Sequence, residues 1–395
     1  MKKKILIVTS SLVMGGLEKC LVSMADNFDY DRYEVDLYLF NEGRALLPML
    51  NKKVNLLPDS PYYADFYNRG VLQSVLTLLR KGKFGLAMHR IGRFFRTRAG
   101  KTAMTAKEFA VMQKTMLRID KEYDVAIAFE EGSACHYVAE CVNAKCKLGW
   151  IQTDIAKINS CHELDDRAFG IMNHVVTVSQ NGLNSLCAAF PHHSDKFINI
   201  PTPAIMDYAD IEKKANEPNN YFGSGKRILS IGRLVELKGF HLCARAMRML
   251  LDHGYDARWF IAGEGDFRPE LERLIEELEL KDRFVLLGNC PNPYTYIKGA
   301  DVCVQASSYE GFSMVVYEEK YFKKPVVVSD IPSLHELIEN GVNGMIVPRE
   351  PEEIFKAVKT LLDDEDLMTR MGNAPVKRDL NNAKIMKQVE DLFEC

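Results

Sequence analysis

Residues 302–318 read VCVQASSYEGFSMVVYE and contain the clearest strand–loop–helix pattern of the chain. Its first four residues suit a strand buried on both faces, and a polar loop with one glycine then opens a segment of helical periodicity. Similar strand-like runs alternate with helix-like segments along the chain. They occur at 4–9, 35–40, 54–57, 125–129, 148–151 and 175–178, and then at 228–231, 259–262, 284–287, 326–329 and 345–347. This alternation predicts an α/β fold with parallel sheets.

The strand-like runs fall into two sets, separated by a polar segment rich in Pro, Asn and Gly at 201–224. This composition is typical of a linker. We therefore expect two Rossmann-like, doubly wound domains, one over 1–200 and one over 225–380. The amphipathic segment 381–395 would pack back on the first domain. Because open α/β sheets bind ligands at the carboxyl ends of their strands, the pattern predicts domains that face each other across a cleft.

The composition is that of an ordinary globular protein of 395 residues, with a formal net charge of −3. This length exceeds what one hydrophobic core sustains, which agrees with two domains. The small net charge gives no general attraction to nucleic acid, and no nucleic-acid partner is expected. No run approaches the roughly 18 apolar residues of a membrane span, so any contact with a bilayer would be peripheral.

The amino-terminal run and the cysteines indicate a cytoplasmic location. The chain starts with MKKKILIV, but the apolar stretch is too short for a signal peptide and is interpreted as the first strand. The ten cysteines are scattered, with no Cys-x-x-Cys pair and no zinc-finger spacing. Reduced thiols are therefore expected.

Two glutamates, Glu310 and Glu318, stand eight residues apart in the loop and helix that follow the strand at 302–305. A loop that opens a helix presents free backbone N–H groups to hydroxyls and phosphates. Carboxylates there would accept hydrogen bonds from sugar hydroxyls. The alternative is structural, with Glu310 as a helix cap and Glu318 as a solvated surface charge.

Two cations, Arg233 and Lys238, follow the strand at 228–231. A guanidinium and an ammonium together suit a diphosphate that leaves with developing negative charge. The alternative is an ordinary surface pair beside Glu236. Near the amino terminus, Gly15 and Gly16 permit close backbone approach to a phosphate, although the dinucleotide fingerprint is absent and a plain connection is the alternative.

These motifs together resemble the family 4 retaining glycosyltransferases of GT-B fold, over nearly the whole chain. The resemblance implies that Glu310 lies near the donor sugar and Glu318 on the ribose. It also implies that Arg233 and Lys238 bind the phosphates and that the N–H of Gly16 faces the diphosphate.

By the same resemblance, the backbone N–H groups of Phe312, Ser313 and Met314 would reach sugar hydroxyls, while Asn289 and Cys290 would lie beside the base. The implied donor is a UDP-sugar. The implied acceptor is a glycan or a lipid-linked sugar, in the synthesis of surface polysaccharide or glycolipid.

Some positions depart from the family pattern. Gln152 stands where many relatives have a histidine near the donor sugar, and glutamine cannot take a proton. Asp154 is a candidate to compensate on the acceptor side, or else a helix cap. Lys323 stands where the family usually has glycine.

No metal or other cofactor is expected. No Asp-x-Asp motif ends a strand at the predicted cleft, and Asp165 and Asp166 are interpreted as a helical surface pair. His192 and His193 are interpreted as polar surface residues. Cations and backbone amides would then stabilise the departing diphosphate.

A basic segment spans Arg80–Lys101 and contains no acidic residue. Basic residues interleaved with phenylalanine on a helix suit an anionic membrane surface. The alternative is a solvated helical face whose phenylalanines turn into the core.

Other functions remain open for this scaffold. They include a nucleotide-sugar epimerase, a sugar phosphorylase with a pyridoxal phosphate lysine, and a non-catalytic glycan-binding partner of an active transferase. No such lysine is identified. Gln152 gives some support to the non-catalytic partner, because glutamine cannot take a proton.

Overall fold

The computed structural model describes residues 2–13, 15–99, 104–155, 160–201, 208–217, 224–378 and 381–395. The chain forms two compact units, each built around its own parallel sheet. Unit 1 comprises Met1–Met206 and Leu380–Cys395, and unit 2 comprises Asp207–Asp379. The predicted α/β fold with two Rossmann-like domains is confirmed.

Unit 1 contains a sheet of seven parallel strands. They are β1 (Lys3–Thr9), β2 (Tyr33–Leu39), β3 (Asn55–Leu56), β4 (Tyr123–Ala128), β5 (Ala144–Ile151), β6 (His174–Thr177) and β7 (Phe197–Asn199). Their order is β3-β2-β1-β4-β5-β6-β7, and Ile5 of β1 pairs with Val35 on one side and Val125 on the other. The central strand is buried on both faces because helices cover the sheet above and below, which explains its unbroken apolar run.

Eight helices of unit 1 connect or flank these strands. They are α1 (Gly16–Asp26), α2 (Tyr63–Tyr67), α3 (Val71–Arg80), α4 (Phe84–Arg98), α5 (Ala106–Gln113), α6 (Ser133–Cys141), α7 (His162–Ile171) and α8 (Gln180–Ala189). Helix α5 begins with a capping box between Thr105 and Glu108. Helices α2 to α5 share a small apolar cluster of their own, around Phe66 and Leu78.

Unit 2 contains a sheet of six parallel strands in the order β10-β9-β8-β11-β12-β13. They are β8 (Lys226–Ile231), β9 (Ala257–Ala262), β10 (Phe284–Gly288), β11 (Val302–Gln305), β12 (Val326–Ser329) and β13 (Met345–Val347). Its helices are α9 (Tyr208–Ala215), α10 (Phe240–Asp252), α11 (Arg268–Glu277), α12 (Tyr294–Gly299), α13 (Met314–Tyr321), α14 (Pro351–Asp363) and α15 (Glu365–Asn373).

The predicted linker at 201–224 is wrong in its middle, because α9 lies there and belongs to unit 2. Ile211 is buried, and the side chain of Asn292 donates to the carbonyl of Lys214 at 3.0 Å. The helix was missed because its polar composition hides a short apolar face. Residues 202–207 and 218–223 lie outside the described residues.

The last helix, α16 (Asn382–Asp391), packs on unit 1. The ring of Phe393 stacks on that of Phe28, and Glu390 accepts a hydrogen bond from Arg32 at 3.0 Å. Cys395 forms a disulfide with Cys146 of β5. The expectation of reduced thiols is therefore wrong for this pair, which lies 249 residues apart in sequence and gives no local signal.

Candidate functional site

The loops after β8 and β11 leave the same edge of the sheet in unit 2, because the two strands are parallel neighbours. Backbone contacts hold the two loops together. The N–H of Ser308 donates to the carbonyl of Leu237 at 2.7 Å. The guanidinium of Arg349 bridges them, since it donates to the carbonyls of Ala306 at 3.0 Å and Glu236 at 3.3 Å. We call these two connected loops, residues 232–239 and 306–313, the rim.

Lys238 and Glu310 meet at this rim. The Nζ of Lys238 lies 2.6 Å from Oε1 of Glu310, and the hydroxyl of Ser307 donates to the same oxygen at 2.7 Å. The other oxygen, Oε2, accepts no hydrogen bond from a described residue. The carboxylate is thus oriented by two donors and keeps one oxygen for a ligand.

A glycine allows the loop after β8 to pack closely against the loop after β11. Gly239 has a φ of +70°, and a Cβ at this position would collide with the carbonyl oxygen of Ala306. Only glycine adopts this conformation at such close packing without strain. The turn at Gly239 ends the 3-10 segment Glu236–Lys238 and starts α10. It therefore fixes the direction in which the side chain of Lys238 leaves the backbone.

Arg233 lies on the same loop, two residues after β8, and is exposed. Its guanidinium makes no hydrogen bond or ion pair with any residue that the structure describes. An exposed guanidinium on the loop that carries Lys238 is available to bind an anion in the forked geometry that phosphates accept.

The start of α13 carries the predicted amide groups. Ser313 caps the helix, since its hydroxyl accepts the N–H of Val316 at 3.5 Å. The N–H of Met314 already donates to the carbonyl of Phe312 at 3.2 Å. The N–H groups of Phe312 and Ser313 donate to no described residue, so two of the three predicted amides are available. Because Ser313 is the cap, the alternative of Glu310 as the helix cap is wrong.

Glu318 lies one turn into α13 and is only 5% exposed. Its Oε1 accepts a hydrogen bond from the hydroxyl of Tyr294 at 3.4 Å. The alternative of a solvated surface charge is therefore wrong. Asn289 and Cys290 follow β10 at the same carboxyl edge, and Asn289 is exposed. Their place beside a base stays a prediction.

Two buried charged residues of α13 were not singled out from the sequence. Glu319 is completely buried, and the side-chain amide of Gln305 donates to its Oε1 at 2.8 Å. Burial raises the pKa of Glu319 to about 8, so the carboxyl is neutral at pH 7. Lys320 donates to the carbonyl of Gly372 at 3.2 Å, and burial lowers its pKa to about 8. Three consecutive charges on one helix cannot all face water, which was the available signal.

In unit 1, the acceptor-side candidate Gln152 follows β5 and is placed by a glutamate that follows β4. Glu131 accepts the N–H of Gln152 at 2.9 Å and the hydroxyl of Thr153 at 2.8 Å. The adjacent Glu130 accepts the hydroxyl of Ser10 at 3.0 Å, and burial raises its pKa to about 7. Sequence reasoning missed both glutamates, although they follow a buried strand at its carboxyl end.

Asp154 and Gly16 also lie in unit 1. Asp154 is buried and accepts a hydrogen bond from Ser185 of α8, so it ties the end of β5 to that helix. Gly16 is the exposed first residue of α1, and Gly15 before it provides no side-chain cap. The part of Gly16 in holding a diphosphate stays a prediction.

One cluster in the described part of the chain has metal-ligand chemistry. Nε2 of His192 lies 2.6 Å and Nε2 of His193 lies 3.3 Å from Oδ1 of Asp166. The three ligand atoms lie within 4.8 Å of one another. The histidines precede β7 at its amino end, whereas the candidate residues lie at the carboxyl edges of the sheets. The cluster is therefore not part of the predicted site.

Comparisons with known proteins identify the family and the fold. Residues 212–378 match the model of the family "Glycosyl transferases group 1". A glycosyltransferase of Methanocaldococcus jannaschii, itself uncharacterised, is 31% identical over 270 residues, which cover 63% of this chain and 68% of that protein.

A second relative, from Campylobacter jejuni, is 38% identical over 170 residues, which cover 42% of this chain and 45% of the relative. It is named N-acetylgalactosamine-N,N'-diacetylbacillosaminyl-diphospho-undecaprenol 4-alpha-N-acetylgalactosaminyltransferase. The aligned part thus spans less than half of that protein.

Among solved structures, Anabaena HepE in complex with UDP-glucose superposes with a TM-score of 0.69 and 18% identity, over 99% of each chain. This likeness shows the fold, which is GT-B. With the sequence relationship to the Methanocaldococcus protein, it leads to one conclusion. The chain belongs to the glycosyltransferases, is an enzyme of GT-B fold, and carries the group 1 domain over residues 212–378.

Proposed function

We propose that this enzyme moves a hexosyl group from a nucleoside-diphosphate sugar, specifically a UDP-sugar, to a glycan or lipid-linked acceptor. The reaction retains the anomeric configuration, needs no metal, and serves the synthesis of surface polysaccharide or glycolipid. The observation that carries the proposal is the oriented carboxylate of Glu310 beside Lys238, with the exposed guanidinium of Arg233 on the loop that also carries Lys238.

The named relatives support the finer parts of this proposal. The Anabaena structure holds UDP-glucose, which supports a UDP-sugar as the donor. The Campylobacter relative is named for a diphospho-undecaprenol substrate, which supports a lipid-linked acceptor. Family 4 membership and retention rest on the Glu310–Glu318 spacing.

In the proposed reaction, each side chain has a distinct task. Oε2 of Glu310 accepts a hydroxyl of the donor sugar, while Glu318 accepts the ribose hydroxyls. The bond between C1 of the sugar and the phosphate oxygen breaks, and Arg233 and Lys238 offset the charge on the diphosphate. The acceptor oxygen bonds to C1 on the same face. Its proton passes to the departing diphosphate, so no dedicated base is needed.

The test begins with a thermal-shift screen of nucleotide sugars, because a donor at 100 times its Kd stabilises the fold by about 2.7 kcal/mol. The stabilising donor is then used in a turnover assay of Arg233→Ala. Loss of a phosphate contact in the transition state is expected to lower turnover by about 10²-fold or more. Arg273→Ala on α11, another exposed arginine that lies outside the rim, is the control.

Three outcomes would contradict parts of the proposal. Stabilisation by sugars without any turnover would favour a non-catalytic binding partner. Inversion at C1, seen by NMR of the product, would contradict retention. Loss of activity in EDTA that is restored by a divalent cation would contradict a metal-independent reaction.

A further inference from the structure

Helices α3 and α4 expose an unusual amount of apolar side chain. Eleven large apolar residues are exposed in the described part of the chain, and six of them lie on these two helices. We call the six residues the α3–α4 apolar surface; they are Leu72, Leu76, Leu79, Phe84, Met88 and Phe95. Four of them are at least 65% exposed. Monomeric soluble proteins rarely expose apolar residues in such a group unless it has a function.

The spacing places these residues in one stripe on each helix. On α3 the stripe is Leu72, Leu76 and Leu79, and on α4 it is Phe84, Met88 and Phe95. Intervals of three, four and seven residues return to the same side of a helix. The stripes are therefore ordered faces rather than scattered exposed residues.

Other residues of α3 and α4 hold the two helices to unit 1. Leu78, Leu86 and Ala87 are buried in the cluster that contains Phe66 and Val111. The stripes are not part of that cluster. The alternative in which the phenylalanines of this segment turn into the core is thus wrong for Phe84 and Phe95, which are 66% and 65% exposed.

Charge around the surface is positive but weaker than the sequence suggests. Residues 70–101 contain no acidic residue. Nevertheless Glu108 pairs with both Arg93 and Arg96, and Asp65 pairs with Lys81. Lys101 lies outside the described residues.

Three cations of this segment have no acidic partner among the described residues. Arg80, Lys83 and Arg98 form no ion pair with any residue in the described ranges, and Lys83 lies 4.7 Å from the ring centre of Tyr62. Helices α3 and α4 and their flanking residues therefore bring three cations that have no acidic partner in the described part of the chain, and residues 70–101 contribute no acid.

We propose that the α3–α4 apolar surface inserts into the interface of an anionic lipid bilayer, with Arg80, Lys83 and Arg98 at the level of the lipid phosphates. A short helix with basic residues and a face of Leu, Met and Phe lies in the plane of the interface. At 1.5 Å per residue the 15 residues of α4 reach about 22 Å, less than the roughly 30 Å of a bilayer core. In the described residues no helix is long and apolar enough to cross a membrane.

A second copy of the chain is the competing occupant. A twofold contact through this surface brings identical patches together, so Arg80, Lys83 and Arg98 would face a partner patch of the same positive charge. Lipid phosphates neutralise the same cations. The charge therefore favours the bilayer.

The experiment measures binding of the full chain to vesicles by flotation, with neutral phosphatidylcholine vesicles and with vesicles containing phosphatidylglycerol. The double variant Leu76→Ser/Phe95→Ser is expected to bind at least about tenfold more weakly to both, because two inserted side chains are lost. The matched control is Ile171→Ser/Val342→Ser, two exposed apolar residues elsewhere, which should bind like the original protein.

A variant without the three cations separates the electrostatic contribution to vesicle binding from the apolar contribution. Arg80→Ala/Lys83→Ala/Arg98→Ala is expected to lose only the preference for phosphatidylglycerol, and this preference should also weaken at high salt. Unchanged Tm values and unchanged transfer to a water-soluble acceptor would show that the variants are folded.

Two results would overturn the inference. One is vesicle binding that is absent, or equal in the Leu76→Ser/Phe95→Ser variant and the original protein. The other is a dimer, seen by light scattering, that the same variant dissociates, since the surface would then bind a second copy.

Discussion

The ammonium of Lys238 lies 2.6 Å from a carboxylate oxygen of Glu310, although 72 residues separate them in sequence. Both side chains are less than a fifth exposed. Neither charge can be removed without leaving the other partly buried and unpaired, which is more costly than removing both. The pair therefore links the loop after β8 to the loop after β11.

Lys238→Met and Glu310→Gln test this coupling. Each single variant is expected to lower turnover by about 10²-fold or more, because each removes a charge from the transition state. For stability, the double variant should lose less than the sum of the two singles, by about 1 to 3 kcal/mol in a double-mutant cycle of chemical denaturation. Additive losses would mean that the two groups do not interact in solution.

Gly239→Ala tests how the rim is built. The left-handed φ and the collision of a Cβ with Ala306 are expected to lower the free energy of unfolding by more than about 2 kcal/mol, and to weaken donor binding through Lys238. Gly254→Ala is the matched control, because Gly254 has a φ of +83° with open space around the position of a Cβ. It should cost only about 1 kcal/mol. Equal effects would refute the role of close packing at Gly239.

Glu319 predicts a pH dependence of stability. The unfolded chain ionises this group above about pH 4.5, whereas the folded protein keeps it protonated up to about pH 8. The native state then binds more protons, so the free energy of unfolding falls as the pH rises through this interval, by up to about 4 kcal/mol. Glu130 contributes in the same direction over a narrower interval, because its pKa is about 7.

Glu319→Gln isolates this contribution. The difference in unfolding free energy between variant and original protein should shift in favour of the variant between pH 5 and pH 8, measured by urea denaturation. Glu277→Gln, at an exposed position of α11, should leave the pH profile unchanged. If the unfolding free energies of Glu319→Gln and the original protein change in parallel with pH, the carboxyl of Glu319 is not neutral and buried.

The disulfide between Cys146 and Cys395 predicts a redox-dependent stability of unit 1. Closing a loop of this length constrains the unfolded chain, so reduction is expected to lower the unfolding free energy by about 2 to 4 kcal/mol. The measurement is the Tm with and without a reductant. Cys146→Ser/Cys395→Ser should resemble the reduced protein and no longer respond to the reductant. A linked peptide in a non-reduced digest would show the bond directly.

The fold class and much of the candidate site could be predicted from the sequence alone. Strands buried on both faces, such as β1 and β11, are continuous apolar runs, and the loops that follow them are marked by polar and glycine residues. These signals are local, so they place Arg233, Lys238, Glu310 and Glu318 at strand ends or helix starts without knowledge of the neighbours. The same signals failed for α9, whose polar composition is typical of a linker.

Which of these groups lie in contact depends on the tertiary structure. The contact between Lys238 and Glu310 depends on β8 and β11 lying side by side, and the Cys146–Cys395 bond on α16 folding back to unit 1. The burial of Glu319 and the exposure of Phe95 could likewise not be predicted from the sequence. Helical periodicity shows which residues share a face of a helix, but not which face the core covers. Pairing over long separations is set by packing, and packing has no signature within a short stretch of sequence.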